Sequence, residues 1–275
     1  MTETPGPIGI FDSGIGGLTV FKEIRKKLPE YDFLYLGDNA RVPYGTRSFE
    51  TVYQYTWECV QHLFNLGCKL VIIACNTASA KALRTIQQKD LVNIPSLRSV
   101  LGVLRPTTES IDRYTQTKHV GIFATPGTVI SESYIIEINK FFPHINVFQQ
   151  ACPMWVPLVE NNEHESPGAD YFVKKYINNL LEKSSSIDAI ILACTHYPLL
   201  VKKIKEFLPP SIELILQGEI VAASLVDYLN RHPEINEVCT QGGGSQYLTT
   251  ESTKDFNAKA AIFLGSSVQS EHLQL

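Results

Sequence analysis

Short, continuously apolar runs alternate along the chain with stretches whose apolar residues recur every three or four positions. The runs "IGIF" (8–11), "DFLYLG" (32–37), "LVIIAC" (70–75) and "IPSL" (94–97) read as strands by their length and β-branched or aromatic content. Segments 15–28 and 48–66 between them carry helical periodicity. The pattern resumes with "HVGIFA" (119–124), "INVFQQAC" (145–152) and "DAIILAC" (188–194), separated by helical segments at 128–141 and 168–184. "SIELILQG" (211–218) gives a further strand; a helix from 218, the loop "QGGGSQ", "YLTTES" and a last helix follow. Strands apolar on both faces, alternating with helices, predict an α/β fold with parallel-type sheets covered on both sides.

The chain also echoes itself. "IGIFDSGIGG" and "VGIFATPGTV" each read as strand, sharp turn and helix start, and each is followed some seventy residues later by a strand ending in Ala-Cys. This predicts two similar, pseudo-symmetric α/β domains. The expected division is a discontinuous first domain, 1–98 plus 211–275, with a second domain, 99–210, inserted into it. Matched strand ends would then meet in an interdomain cleft, a common place for a ligand.

Composition narrows the class. At 275 residues, 44% hydrophobic and 19% charged, the chain is that of an ordinary globular protein. A net charge of −4 gives no footprint for nucleic acid. The basic runs "FKEIRKKL" (21–28) and "VKKIKEFL" (201–208) are interleaved with apolar positions and read as solvated helix faces. The N-terminus lacks the basic and apolar regions of a signal peptide, and no apolar stretch reaches membrane-spanning length. A cytoplasmic protein with reduced thiols is therefore expected. The six cysteines form no C-x-x-C pair, which weakens zinc and dithiol readings.

Four polar clusters fall where strands end: Asp12-Ser13-Gly14, Gly37-Asp38, Cys75-Asn76-Thr77 and Cys194-Thr195-His196. In open parallel sheets those ends form the ligand crevice. The spacing of Gly14, Gly16 and Gly17 is not that of a dinucleotide fingerprint, there is no Walker lysine, and an aspartate before the glycines would repel phosphate. Asp12 suits an ammonium group, while hydroxyls and helix N-termini can hold carboxylates. Cys59, Cys68 and Cys239 lack polar company and read as space-filling thiols, as does Cys152 before an apolar loop. Cys75 and Cys194 differ, because polar residues crowd the positions after them, and a following helix N-terminus favours a thiolate. A phosphatase loop would need Arg six positions on, where Lys81 and Leu200 stand, and a cysteine protease has no use for a second matched thiol. Two equivalent thiols suit a symmetric reaction, in which a proton moves from one face of a carbon to the other. Asp12 and His196 are the candidate neighbours that tune them.

The segments "IGIFDSGIGGLTV" (8–20), "YLGDNARVPYGTRS" (35–48), "VIIACNTASA" (71–80), "GIFATPGTV" (121–129), "PLVE" (157–160) and "LACTHYPLL" (192–200) closely resemble the cofactor-independent glutamate racemases, in the same order. The resemblance implies a two-base mechanism with neither pyridoxal phosphate nor metal. Cys75 would take the α-proton of D-glutamate and Cys194 that of L-glutamate, supported by Asp12 and His196. It further implies substrate contacts at Asp12, Ser13, Tyr44, Gly45, Asn76, Thr77, Thr128, Thr195 and His196, with Glu160 an acidic neighbour of the site. The implied partner is a small molecule, L- or D-glutamate; the apolar pattern gives no membrane partner, and a homodimer is left open. The implied setting is D-glutamate supply for peptidoglycan, hence cell-wall biogenesis and cell shape. Two departures stand out: Arg105 where the family pattern has an acid, and Leu216-Gln217 where Asp-Ser is common. They are expected to affect domain packing, oligomer contacts or regulation. The alternatives are an aspartate racemase or related isomerase, and a dicarboxylate-binding or partner-regulating protein without turnover. The complete "RVPYG" and "ACNTAS" motifs favour glutamate over aspartate, and the intact pair of thiols disfavours a protein without turnover.

Overall fold

The computed structural model describes residues 4–94 and 96–275. Its strands are β1 (Ile8–Asp12), β2 (Phe33–Gly37), β3 (Leu70–Ile73), β4 (Ser99–Gly102), β5 (His119–Ala124), β6 (Asn146–Ala151), β7 (Ala189–Ala193), β8 (Glu213–Ile215), β9 (Ser245–Thr249) and β10 (Ser270–His272). They form a six-stranded sheet of order β10-β9-β2-β1-β3-β4 and a four-stranded sheet of order β6-β5-β7-β8. Every strand pairing is parallel.

The orders β2-β1-β3-β4 and β6-β5-β7-β8 are the same arrangement used twice. β1 corresponds to β5 and β3 to β7, so the repeated Ala-Cys sequences occupy equivalent places in the two halves. The same symmetry sets the limits of each sheet. β4 pairs with β3 in the first sheet, and β8 pairs with β7 in the second. Ser99–Gly102 thus lies in the first sheet, and the strand within 211–218, Glu213–Ile215, lies in the second.

The strand expected at 94–97 is not present: Ile94, Ser96 and Leu97 are outside any strand, and Pro95 lies outside the described residues. The pairing strand is instead Ser99–Gly102, in register with Leu70–Ile73. A proline supplies no N–H to a ladder, which makes the short apolar run the weaker candidate. Helical segment 128–141 divides into Pro126–Ile130 and Ser133–Phe141, separated by Glu132 in the left-handed region (φ 52°).

Helix Leu18–Lys27 buries Leu18, Val20, Phe21 and Ile24 and ends in Arg25, Lys26 and Lys27, which complement the negative end of its dipole. Helix Phe49–Asn65 starts at Ser48, whose Oγ accepts from Thr51 N at 3.1 Å. Alternation along β1 sends Ile8 and Ile10 into one apolar cluster and Phe11 into another. The first cluster continues through Ile122, Ile190, Trp155 and Tyr197 of the second half, so the two halves share a core. No helix among the described residues is long and apolar enough to cross a membrane.

Candidate active site

Three strand ends carry the candidate residues. Asp12 closes β1, Cys75 follows β3 and caps helix Asn76–Lys81, and Cys194 directly follows β7. Thr195, next to Cys194, reaches Asp12, whose neighbour Ser13 lies against Cys75. The two thiols thus come from equivalent strands of the two sheets to one place.

On the first side, Ser13 Oγ lies 3.3 Å from Cys75 Sγ, and Ala78 N donates to the same sulfur at 3.4 Å. The helix start does address Cys75, but burial and the Asp12 charge outweigh it and push the thiol up to about 12. This reverses the expectation that the dipole alone favours the thiolate. The hydrogen-bonded neighbour of Cys75 is Ser13, while Asp12 acts on it through charge. Asp12 is fully buried, and that burial raises its own pKa.

On the second side a polar chain runs outward from Cys194. Its Sγ lies 4.0 Å from His196 Nδ1; His196 Nε2 lies 2.6 Å from Glu160 Oε1; Lys259 Nζ donates to Glu160 Oε2 at 2.8 Å. Burial disfavours the imidazolium, but the bonds to Cys194 and Glu160 prevail and raise His196 to about 10. Burial likewise works against the Glu160 carboxylate, but His196 and Lys259 prevail and hold it down at about 2. Glu160 is therefore the partner of an imidazolium and an ammonium. Residue 16 must be glycine for this chain to sit beside β1: a Cβ there would lie 2.4 Å from His196 Nδ1 and 2.5 Å from Thr195 Oγ1.

The halves meet at Asp12 and Thr195. Thr195 Oγ1 donates to Asp12 Oδ1 at 3.5 Å, and Thr19 Oγ1 donates to the Thr195 carbonyl at 2.9 Å. A cleft of about 950 Å³ bordered by Thr19, Gln217 and Phe263 reaches Cys194 and Thr195. Beside Cys75, the hydroxyls of Thr77, Thr125 and Thr128 cluster, at 2.8 Å for Thr77–Thr125 and 3.1 Å for Thr125–Thr128. Gly45 packs on this cluster, where a Cβ would come within 2.8 Å of Thr125. The Tyr44 hydroxyl donates to Asp38. Asn76 is buried, with its amide held by Gln217 and Tyr134.

Of the residues singled out in the sequence, Ser13 and His196 neighbour the two sulfurs, while Tyr44 is tied to Asp38, and Gly45 and Thr128 to Thr125. Thr125 falls inside the "GIFATPGTV" motif, but nothing in the sequence distinguishes it from its neighbours. Lys259, in helix Thr253–Leu264, carries no signal that could place it against Glu160. Cys59 is not without polar company, since Arg41 Nη2 donates to its sulfur at 3.3 Å. Among the described residues, no three His, Cys, Asp or Glu side chains gather as metal ligands.

Residues 15–225 match the Asp/Glu/Hydantoin racemase family. The glutamate racemase of Ruegeria sp. (strain TM1040) is 39% identical over 96% of this chain and 98% of its own length. A crystal structure of a glutamate racemase isoform from Bacillus anthracis superposes with a TM-score of 0.89 at 32% identity, covering 98% of each chain. The glutamate racemase of Francisella tularensis, solved in complex with D-glutamate, gives a TM-score of 0.85 at 30% identity over 98% of this chain and 97% of its own. Sequence and fold agree over nearly the whole length, and the chain belongs to the Asp/Glu/Hydantoin racemase family.

Proposed function

We propose that this protein is a glutamate racemase that moves the α-proton between Cys75 and Cys194. The observation that carries the reading is the pair of thiols on equivalent strand ends, each with its own polar neighbour: Ser13 for one and the His196–Glu160 pair for the other. With D-glutamate, the Cys75 thiolate takes the α-proton, forming an S–H bond as the C–H bond breaks. The electron pair left on carbon then takes the proton of the Cys194 thiol from the opposite face. With L-glutamate the two sulfurs exchange roles.

Binding and activation are coupled in this scheme. Asp12 receives the substrate ammonium, whose positive charge offsets the carboxylate charge that raises Cys75. His196, held by Glu160, stands beside the Cys194 sulfur as its polar neighbour. Gly45 and the hydroxyls of Thr77, Thr125 and Thr128 offer a polar wall for a carboxylate. The product D-glutamate serves peptidoglycan synthesis. All six cysteines are free, which supports a reducing compartment such as the cytoplasm.

The test is incubation of purified protein, dialysed against EDTA with no cofactor added, with L- or D-glutamate followed by chiral chromatography. Both enantiomers should converge on an equal mixture, with L-aspartate turned over far more slowly. Unchanged glutamate, or faster turnover of aspartate, contradicts the reading.

A further inference from the structure

Behind Asn76, three buried side chains close a ring of hydrogen bonds. Asn76 Nδ2 donates to Gln217 Oε1 at 2.7 Å, Gln217 Nε2 donates to the Tyr134 hydroxyl at 2.7 Å, and that hydroxyl donates to Asn76 Oδ1 at 2.6 Å. Gln217 Nε2 also reaches Thr107 Oγ1 at 2.9 Å and the Val103 carbonyl at 3.3 Å. Asn76, Gln217 and Tyr134 are 2%, 5% and 0% exposed, so the ring is largely shielded from water.

Counting donors shows what the ring leaves over. A carboxamide has two N–H donors and one oxygen. Asn76 spends its oxygen on Tyr134 and one N–H on Gln217, which locks its rotamer and leaves one N–H without a partner among the described residues. The ring also spans both halves of the protein. Asn76 starts the helix after β3 of the first sheet, whereas Gln217 starts the helix after β8 of the second, and Tyr134 lies in helix Ser133–Phe141. A serine at position 217, the residue common in the resembling pattern, is too short to hold these partners together.

We infer that Gln217 is a positioning residue, which with Tyr134 fixes the Asn76 amide so that its remaining N–H meets a carboxylate of the substrate. The inference rests on the racemase reading above. Gln217 does not touch the substrate; it acts through Asn76, on the binding of an α-amino dicarboxylate rather than on the proton transfer. Losing the ring therefore weakens ground state and transition state alike, which raises KM and spares kcat. Because the two enantiomers are equally stable, kcat/KM falls by one factor in both directions.

The experiment is racemisation kinetics of Gln217→Met, which keeps length and loses both hydrogen-bonding atoms, beside Tyr134→Phe, Asn76→Ala and the Gln217→Met/Asn76→Ala double variant. KM for D- and L-glutamate should rise about tenfold in Gln217→Met, the size of one hydrogen bond, with kcat within about threefold of wild type. In the Asn76→Ala background, Gln217→Met should add nothing to KM, because the group it positions is gone. Tyr134→Phe removes one hydroxyl and little packing, and carries the same KM test if Gln217→Met does not fold. A lowered melting temperature with unchanged KM, or KM effects that multiply in the double variant, overturns the inference. Wild-type protein that leaves glutamate unchanged refutes the racemase reading instead, so the two failures are distinct.

Discussion

His196 and Glu160 form a partly buried ion pair 2.6 Å long directly behind the Cys194 thiol. The side chains are 6% and 19% exposed, so solvent screens the pair far less than a surface bridge. Removing the Glu160 charge leaves a buried His196 imidazolium without its carboxylate, a costly state. Glu160→Gln keeps a hydrogen-bond acceptor for His196 but removes the charge that sustains the imidazolium. Its kcat/KM should fall at least about tenfold, by the same factor for both enantiomers. Initial rates by circular dichroism check this, and an unchanged kcat/KM would detach Glu160 from the chemistry.

The same pair makes stability depend on pH. His196 is raised from 6.5 to about 10, so its contribution is complete below 6.5 and lost as pH climbs through that interval. Glu160 is lowered from 4.5 to about 2, so its contribution is complete above 4.5 and lost as pH falls through that interval. Asp12, raised by burial, works in the opposite sense on the acid side, because its ionised form is disfavoured in the fold. The melting-temperature gap between wild type and Glu160→Gln should therefore be widest between pH 4.5 and 6.5 and narrow on either side. Melts spanning both intervals would show it; a gap constant across them contradicts the ion pair.

Asp12 gives two effects of opposite sign. Its charge raises Cys75, so Asp12→Asn should make that thiol more acidic and speed its alkylation by iodoacetamide at mildly alkaline pH. Racemisation should nevertheless slow, because the site for the substrate ammonium is lost. Peptide mass spectrometry of Cys75 alongside turnover separates the two. If alkylation is no faster than in wild type, Asp12 is not what holds the thiol up.

Gly16 is a steric test of how the halves meet. A methyl group at that position would fall on His196 and Thr195, both buried, so one of them must move. Gly16→Ala should lower kcat/KM by about a hundredfold or more, since small displacements of catalytic groups are costly. Gly168→Ala, whose nearest contact is Ser166 Oγ at 3.4 Å, should leave rates unchanged. Equal activity in the two variants contradicts the packing described.

Local pattern carries most of this architecture. β1, β2, β5 and β7 are continuous apolar runs buried on both faces, and burial of that kind writes itself into sequence. β4 and β10 do not show in this way: both are edge strands, only Val100 among their residues is buried, and the apolar content of "SEH" is nil. The strand ends that carry the thiols are legible because polar residues break sharply into apolar runs there. Lys259, Thr125 and the ring around Gln217 are not, because they depend on which helices pack together over long separations, and no local period encodes that. The raised Cys75 thiol escapes the sequence for a related reason: a helix start is visible there, whereas complete burial beside a carboxylate is visible only in the fold.

The central claim is that each thiol serves one face of the α-carbon. Its most direct measurement is the reaction of each enantiomer in deuterium oxide with Cys75→Ser and Cys194→Ser, following both inversion and α-deuterium incorporation, with thermal melts as folding control. Serine is nearly isosteric with cysteine but far less acidic, so both variants should stay folded and lose inversion by orders of magnitude. Cys59→Ser and Cys239→Ser should retain it. Any residual α-exchange should be confined to D-glutamate in Cys194→Ser and to L-glutamate in Cys75→Ser. A folded Cys75→Ser or Cys194→Ser protein that inverts glutamate at close to the wild-type rate contradicts the two-thiol mechanism.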